Sequence, residues 1–433
     1  MAPLLTRLLY SAAGQLARGA AALAPAGGGK LRRSLHARRG IRDRFREWGG
    51  TDRGRDRPLL WMHAPSVGEG LQARPVLQLA RRERPALQLA YTYFSPSAER
   101  FAQGLDVDFA DYLPFDTAGD ARAALDALRP SALVWAKLDV WPVLAAEADR
   151  RGVPLGLVSA TVAEGSSRRS PWAAPLLREA HARLALVGAV DAADAERLRE
   201  LGVRPDALRV TGDTRYDQVW ARARTTDPHS ALLAPLRADR PTLVAGSTWP
   251  SDDAVLLVAW TRLRRELPAA RLVIAPHEPT PAHLEPVEEW ARGSGLRLAR
   301  LSAADAGADV VLVDRVGVLG DLYALASVAY VGGGFHTAGL HSVLEPAAFG
   351  APVIFGPRWR DSRDAALLLQ AGGGATVGDV TGFAHQLAAW LADPTTGHEA
   401  GLRARAMVEA GLGAAERSWA LVASLLDRGG GRG

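Results

Sequence analysis

From Leu59 onward the chain alternates short apolar runs with segments of helical length. The runs are residues 59–62, 87–93, 133–135, 153–158, 184–187 and 208–211 in the first half, and 242–245, 271–275, 310–313, 328–331 and 353–355 in the second. Short, mostly continuous apolar runs bounded by turn residues read as strands buried on both faces. Strands separated by helices in this way predict parallel sheets whose functional loops lie at the carboxyl ends of the strands. The pattern occurs twice, so two doubly wound Rossmann-like α/β domains are expected. Three helix-length segments close the chain, residues 362–371, 381–391 and 398–425, and the last reads as one helix long enough to cross back over the first domain.

The most informative stretch is residues 331–357, VGGGFHTAGLHSVLEPAAFGAPVIFGP. Its pattern predicts the end of a strand, a loop of Gly332, Gly333 and Gly334, a helix closed by Gly350, and another strand. Glycines allow close backbone approach to a phosphate, and a helix N-terminus offers unpaired N–H groups. His341 and Glu345 are four apart and are expected on one face of the first turn, with Pro346 tolerated because it lies near the helix start. A plainer reading stays open here: Ser342-x-x-Glu345 as a capping box behind an ordinary tight loop.

In the first half the corresponding loop is residues 63–70, HAPSVGEG, between a strand and a helix. Glu69 there can display a carboxylate at a strand's carboxyl end, or simply complement the helix dipole. Residues 111–116 close a third strand; the fourth, 133–135, runs into Lys137, Asp139, Trp141 and Pro142, and the next loop carries Arg168 and Arg169, which are either phosphate contacts or surface charge. In the second half, Gly246, Ser247 and Thr248 end a strand ahead of Ser251, Asp252 and Asp253, which are good helix-opening residues. His277 follows the next strand, either as a ligand or as a satisfied structural histidine.

Composition narrows the class. A chain of 433 residues is too long for one core, and 48% hydrophobic with 23% charged residues are globular values. With no cysteine there is neither a disulfide framework nor thiolate chemistry. No zinc-type motif or close run of aspartates is present, so no metal site is expected. The net charge of +5 is concentrated at the start. Residues 1–42 lack any acid; residues 3–24 can form an apolar helical face with Arg7 and Arg18 among the leucines, and a polybasic run continues to Arg46. Such a segment fits an anionic membrane surface better than a span, because the arginines interrupt the apolar run. An organelle transit peptide and a nucleic-acid arm share that composition. The charge is confined to the arm and no recognised module appears, so no nucleic acid is expected as a partner.

The order GGGF…GLHSVLEPAAFGAPVIFGP, with WMHAPSVGEG, GSTWPSDD and IAPHE ahead of it, resembles the 3-deoxy-D-manno-octulosonic acid (Kdo) transferases. These are GT-B glycosyltransferases that move Kdo from CMP-Kdo to a lipid A precursor. The resemblance runs from about Leu59 to Leu412. It implies two Rossmann-like domains facing a central cleft, an N-terminal membrane anchor at the cytoplasmic face of the bacterial inner membrane, and metal-independent transfer with inversion, without a cofactor. Glu69 would be the catalytic base, with Ser66, Gly68, Arg168 and Arg169 on the acceptor side. Gly246, Ser247 and Thr248 would line the phosphate of CMP, as would Gly333, Gly334, His341 and Ser342, with His277 nearby. Gly317, Val318 and Leu319 would contact the base, and Glu345 the ribose. Many members have two glutamates where this chain has Lys137 and Asp139, which puts a carboxylate pair in doubt; both stay catalytic candidates beside Glu69, with Lys137 either attracting an anionic group such as a sugar carboxylate or lipid phosphate or merely solvated.

The resemblance divides the chain into a membrane-associating segment (1–50), an acceptor domain (51–234), a CMP-sugar domain (235–412) and a returning helix with a tail (413–433). Three rivals remain open: a GT-B transferase using a UDP-sugar, a nucleotide-sugar epimerase of the same fold, and a silent membrane-associated binding protein.

Overall fold

The computed structural model describes residues 2–23, 29–166, 168, 170 and 174–430. One sheet contains β1 (Leu59–His63), β2 (Gln88–Tyr93), β3 (Phe109–Tyr112), β4 (Ala132–Ala136), β5 (Leu155–Ala160), β6 (Leu186–Ala189) and β7 (Leu208–Val210). The other contains β8 (Thr242–Thr248), β9 (Arg271–Pro276), β10 (Leu298–Arg300), β11 (Val310–Leu312), β12 (Val328–Val331), β13 (Val353–Phe355) and β14 (Gly374–Thr376). Their spatial orders are β3-β2-β1-β4-β5-β6-β7 and β10-β11-β9-β8-β12-β13-β14. Every pairing is parallel.

Burial explains why the apolar runs are continuous. All residues of β1, β2, β4 and β5 are buried, because helices cover both faces of a parallel sheet. In the second sheet successive side chains enter different clusters: Leu243, Leu272 and Ile274 pack on one face, and Val244, Val273 and Ala275 on the other. The strand order reverses between β1 and β4 in one sheet and between β8 and β12 in the other. At such a reversal the flanking loops diverge and leave a crevice at the carboxyl ends of the strands.

The chain forms two compact units, Met1–Gln218 with Leu412–Gly433, and Val219–Gly411. The division therefore falls ahead of the expected 234/235 boundary. Arg222 shows why: its Nε lies 2.8 Å from Asp321, so the residues after Gln218 are already anchored to the second unit. The chain re-enters the first unit through Gly413, which has φ 82°. That glycine splits the single terminal helix expected over 398–425 into Pro394–Glu409 and Ala414–Gly430. The latter packs on the helix Val67–Glu83 and on β4, β5 and β6. Its Trp419 donates to Glu83 at 2.7 Å. The short edge strands β10 and β14 have no counterpart among the expected strands, since neither carries a continuous apolar run.

Three helices, Ala2–Leu23, Lys30–Ala37 and Ile41–Thr51, precede β1. The first is docked through Tyr10, whose hydroxyl donates to Asp116 at 2.8 Å, and it leaves Leu9 and Leu16 exposed. Among the described residues no helix is long and apolar enough to cross a membrane.

Candidate active site

The β1/β4 crevice holds Glu69 and Lys137. Glu69 lies in the first turn of Val67–Glu83, with Ser66 as the N-cap residue. The Ser66 hydroxyl donates to Glu69 Oε2 instead of capping the helix. Lys137 directly follows β4 and brings Nζ to 2.9 Å from Glu69 Oε1. Its backbone is left-handed, φ 69°, a conformation that costs a residue with a Cβ about 1–2 kcal/mol. A backbone hydrogen bond from Lys137 to Val158 O at 2.9 Å helps to hold it. Burial pushes the Glu69 carboxyl up, but the Lys137 ammonium and the hydrogen bonds from Ser66 and Lys137 outweigh it and hold it below the ordinary value. Glu69 is therefore an ionised carboxylate with 15% of its side chain exposed.

Lys137 and Asp139 do not form a relay pair. Asp139 pairs with Arg168, while Lys137 pairs with Glu69. Burial raises the Asp139 carboxyl and the nearby Glu69 adds to this, against the opposing charges of Arg168 and Lys137. The 29% exposure of Asp139 limits that rise. Gly68 sits in the same turn, where an added Cβ would meet the Ser66 hydroxyl at 3.8 Å. Arg169 lies outside the described residues.

Behind Glu69, the last residue of β1 is His63, fully buried. Its Nδ1 is 3.0 Å from Thr92 Oγ1, and its Nε2 accepts from Trp141 Nε1 at 3.2 Å. The second bond fixes the proton on Nδ1. Burial lowers the imidazole to about 3, so it stays neutral. His63 orients Trp141 at the β4 loop and cannot act as a cation there.

The β8/β12 crevice is built around Asp252. Its carboxylate accepts from Trp249 N at 2.9 Å, Tyr330 Oη at 2.7 Å, Gly333 N at 2.8 Å and Phe335 N at 3.2 Å. One buried side chain thus ties the loop after β8 to the glycine loop after β12. The two loops also pack with no room for a side chain. A Cβ on Gly332 would meet Ser247 O at 2.2 Å; the glycine loop is equally tight against the loop after β13, where a Cβ on Gly334 would meet Gly356 N at 2.4 Å. Ser247 itself is left-handed, φ 54°.

Trp249 stands at the mouth of this crevice between two imidazoles. His336 stacks on it at 4.1 Å and His277 at 4.5 Å. Its Nε1 donates to His341 Nε2 at 3.2 Å, which leaves the His341 Nδ1 proton available as a donor. Burial, with His277 next, lowers His341 to about 4.

The helix after the glycine loop begins only at Leu344, as Leu344–Ala348 with Val343 as an N-cap residue lacking a side-chain bond. His341 and Ser342 therefore precede the helix, no capping box forms, and His341 and Glu345 do not share a helical face. Their partners differ accordingly: His341 meets Trp249, whereas Glu345 lies 3.7 Å from Arg222. Burial raises the Glu345 carboxyl and Asp321 adds to this, against Arg222; its 31% exposure caps the effect.

Gly317, with φ 91°, turns the loop after β11. Val318 is the N-cap residue of Leu319–Leu322. A Cβ on Gly246 would meet Tyr323 Oη at 2.2 Å and Leu319 Cδ2 at 2.8 Å, so this loop lies directly over the end of β8. The structure thus brings Gly246, Ser247 and Thr248 together with Leu319, Gly333, Gly334, His277 and His341. Sequence reading passed over Arg222, Asp252 as a hub, and the Trp249–His336 stack. Only Tyr330 within an apolar strand carried a signal, since a buried phenol requires a partner. Among the described residues no group of three or more His, Asp or Glu side chains is placed to hold a metal ion.

The chain is similar to known proteins in sequence and in fold. A family model described as 3-deoxy-D-manno-octulosonic-acid transferase (kdotransferase) matches residues 36–218. The 3-deoxy-D-manno-octulosonic acid transferase of Bordetella pertussis is 32% identical over 373 residues, covering 83% of this chain and 85% of that protein. That of Haemophilus influenzae is 26% identical over 306 residues, covering 69% and 70%. Among solved structures, a putative UDP-N-acetylglucosamine 2-epimerase from Listeria monocytogenes superposes with a TM-score of 0.62 at 14% identity, covering 86% of this chain and 97% of that one. The UDP-GlcNAc 2-epimerase of Neisseria meningitidis gives 0.61 at 14% identity, covering 86% and 100%. These two likenesses establish the GT-B fold, and the fold alone. With two doubly wound units, an ionised glutamate at the first switch point and a relative this similar over most of its length, the chain belongs to the 3-deoxy-D-manno-octulosonic acid transferase family of glycosyltransferases.

Proposed function

We propose that this Kdo transferase uses CMP-Kdo as donor and a lipid A precursor as acceptor, and that it transfers the sugar with inversion and without a metal. The observation that supports this reading most is the ionised Glu69 at the β1/β4 crevice. A carboxylate kept charged in a partly buried site is suited to take a proton from a sugar hydroxyl. In the proposed step the acceptor hydroxyl displaces Ser66 and Lys137 from Glu69, the acceptor oxygen bonds to the anomeric carbon of Kdo, and its proton passes to Glu69. The bond from that carbon to the CMP phosphate oxygen breaks, and CMP leaves with the electron pair.

The second unit would hold the donor. The Gly334 amide, in a glycine loop whose Gly333 amide is held by Asp252, the Ser247 and Thr248 segment, Ser342 and the Nδ1 proton of His341 would serve the CMP phosphate. The loop of Gly317, Val318 and Leu319 would take the base, and Glu345 the ribose hydroxyls. His277 would act through the Trp249 stack. Ser66, Gly68 and Arg168 would meet the acceptor. Residues 1–46 would hold the enzyme on the anionic cytoplasmic face of the inner membrane, as their charge and the exposed Leu9 and Leu16 favour.

The test is incubation of purified protein with CMP-Kdo generated in situ and a tetraacylated lipid A precursor, followed by mass spectrometry of the lipid beside Glu69→Ala. A gain of one or more Kdo units, lost in the variant, is expected. No gain with CMP binding intact would discard the acceptor; no gain and no CMP binding would discard the reading.

A further inference from the structure

The first and third N-terminal helices and the turn of Arg38, Arg39 and Gly40 enclose, with the segment after β3, a cavity of about 240 Å³. Arg18, Arg38, Arg39 and Arg42 line it, with Phe115 and Asp120 opposite. Against four guanidinium groups the lining has two carboxylates, Asp43 and Asp120, leaving a surplus of two positive charges. Neither carboxylate is idle: Asp43 pairs with Arg46 at 2.6 Å, and Asp120 takes Arg42, the Thr117 hydroxyl and, at 3.8 Å, Arg18.

Arg38 is the unusual member. It is 3% exposed, and its hydrogen bonds all go to neutral oxygens: Leu113 O at 2.9 Å, Ser34 O at 2.8 Å, Ser34 Oγ at 2.7 Å and Phe94 O at 3.0 Å. Those bonds satisfy its donors, and its charge is met by the ring faces of Phe94 at 4.2 Å and Tyr112 at 5.0 Å rather than by a paired carboxylate. Burial accordingly lowers its guanidinium to about 10. Arg42 adds a buried Nη2 with no hydrogen-bond partner among the described residues. The helix Ile41–Thr51 starts at the cavity from Gly40 without a side-chain cap, so its positive end also faces this space.

We propose that this cavity binds the phosphate monoester headgroup of a lipid. A monoester carries about −1.5 to −2 charges on three terminal oxygens near neutral pH, which matches the surplus of the lining better than a singly charged diester does. The source is membrane lipid because the first helix, which walls the cavity, also exposes Leu9 and Leu16, at 63% and 74%, and the second, which leads into Arg38, exposes Leu31 at 73%. A headgroup in the cavity and acyl chains against these leucines would satisfy both features. The proposal rests on the membrane-surface part of the reading above and gives that surface a specific lipid chemistry.

The experiment is cosedimentation of the full chain with phosphatidylcholine vesicles containing either phosphatidic acid or phosphatidylglycerol at matched surface charge. Wild type is expected to bind the phosphatidic acid vesicles at a lipid concentration roughly fivefold or more lower, the scale of charge-assisted, geometrically matched contacts. Two variants are run beside it. Arg18→Gln with Arg39→Gln removes charge, and Ala21→Met fills the cavity while every arginine stays; both are expected to lose the preference. Equal binding to the two anionic vesicles, or a preference that survives Ala21→Met, would overturn the cavity and leave the membrane-surface reading standing. No binding to either would remove both. A rise in melting temperature with inorganic phosphate over sulfate at equal ionic strength, without vesicle preference, would assign the site to soluble phosphate and overturn the lipid source.

Discussion

Lys137 Nζ lies 2.9 Å from Glu69 Oε1, and Lys137 reaches it from a left-handed backbone, φ 69°. Two residues far apart in the chain are joined because β1 and β4 are neighbours at the point where the strand order reverses. Lys137 is 45% exposed, so the pair contributes at most about 1 kcal/mol to stability. Its larger effect is on the protonation of Glu69.

Replacing Glu69 by Gln keeps the shape and removes the base. Turnover in the mass-spectrometric assay is expected to fall about 10²–10⁴-fold, with CMP affinity unchanged. The melting temperature should stay close to wild type. A variant within tenfold of wild-type turnover would show that another group takes the proton.

Lys137→Met removes the ammonium that most opposes burial at Glu69 and leaves only the Ser66 and backbone hydrogen bonds against it, so the carboxyl rises. A base works only when deprotonated, so the acid limb of the pH–rate profile should move to higher pH. Lys137→Gly gives the same shift and also relieves the left-handed strain, so it should melt no lower than wild type. An unmoved acid limb in both variants would assign that limb to another group.

Asp252→Ala removes the acceptor shared by Trp249 N, Tyr330 Oη, Gly333 N and Phe335 N. Several buried donors then lose their partner, and a loss of about 3 kcal/mol is expected in denaturant titration. CMP binding, measured by calorimetry, should weaken as well, because the two loops it joins carry the proposed phosphate contacts. Full stability with normal CMP binding would refute the hub.

His63 stays unprotonated in the folded chain down to about pH 3, against an ordinary value of 6.5. Between these values the unfolded chain binds the extra proton, so His63 makes folding less favourable as pH falls from 6.5, by up to about 1.4 kcal/mol per unit. His341, lowered to about 4, acts in the same direction. Asp253, raised to about 7 by burial above all, acts oppositely: the stability it lends at acid pH is lost as pH rises towards 7. Only the difference between wild type and His63→Gln isolates the histidine. The variant should lose less stability between pH 6.5 and 4, followed by thermal melts across that range; parallel curves would contradict a buried neutral His63.

Most strands were legible because helices on both faces of a parallel sheet demand unbroken apolar runs, as in β1 and β9, and the repeat of that pattern announced two Rossmann-like domains. The loops carrying Glu69, the Gly246 segment and the triple glycine were legible too, since their residue types are tied to strand ends. The edge strands β10 and β14 were not, because an edge needs no continuous apolar run. Other features depended on distance across the fold. Nothing local distinguishes Arg222 from any polar linker residue, yet its pairing with Asp321 moved the unit boundary. Asp252 reads as an ordinary helix opener until Tyr330 and the glycine loop close around it. The fate of Lys137 was decided the same way: local chemistry allows a solvated strand-end lysine, and only the adjacency of β1 and β4 turns it into the partner of Glu69.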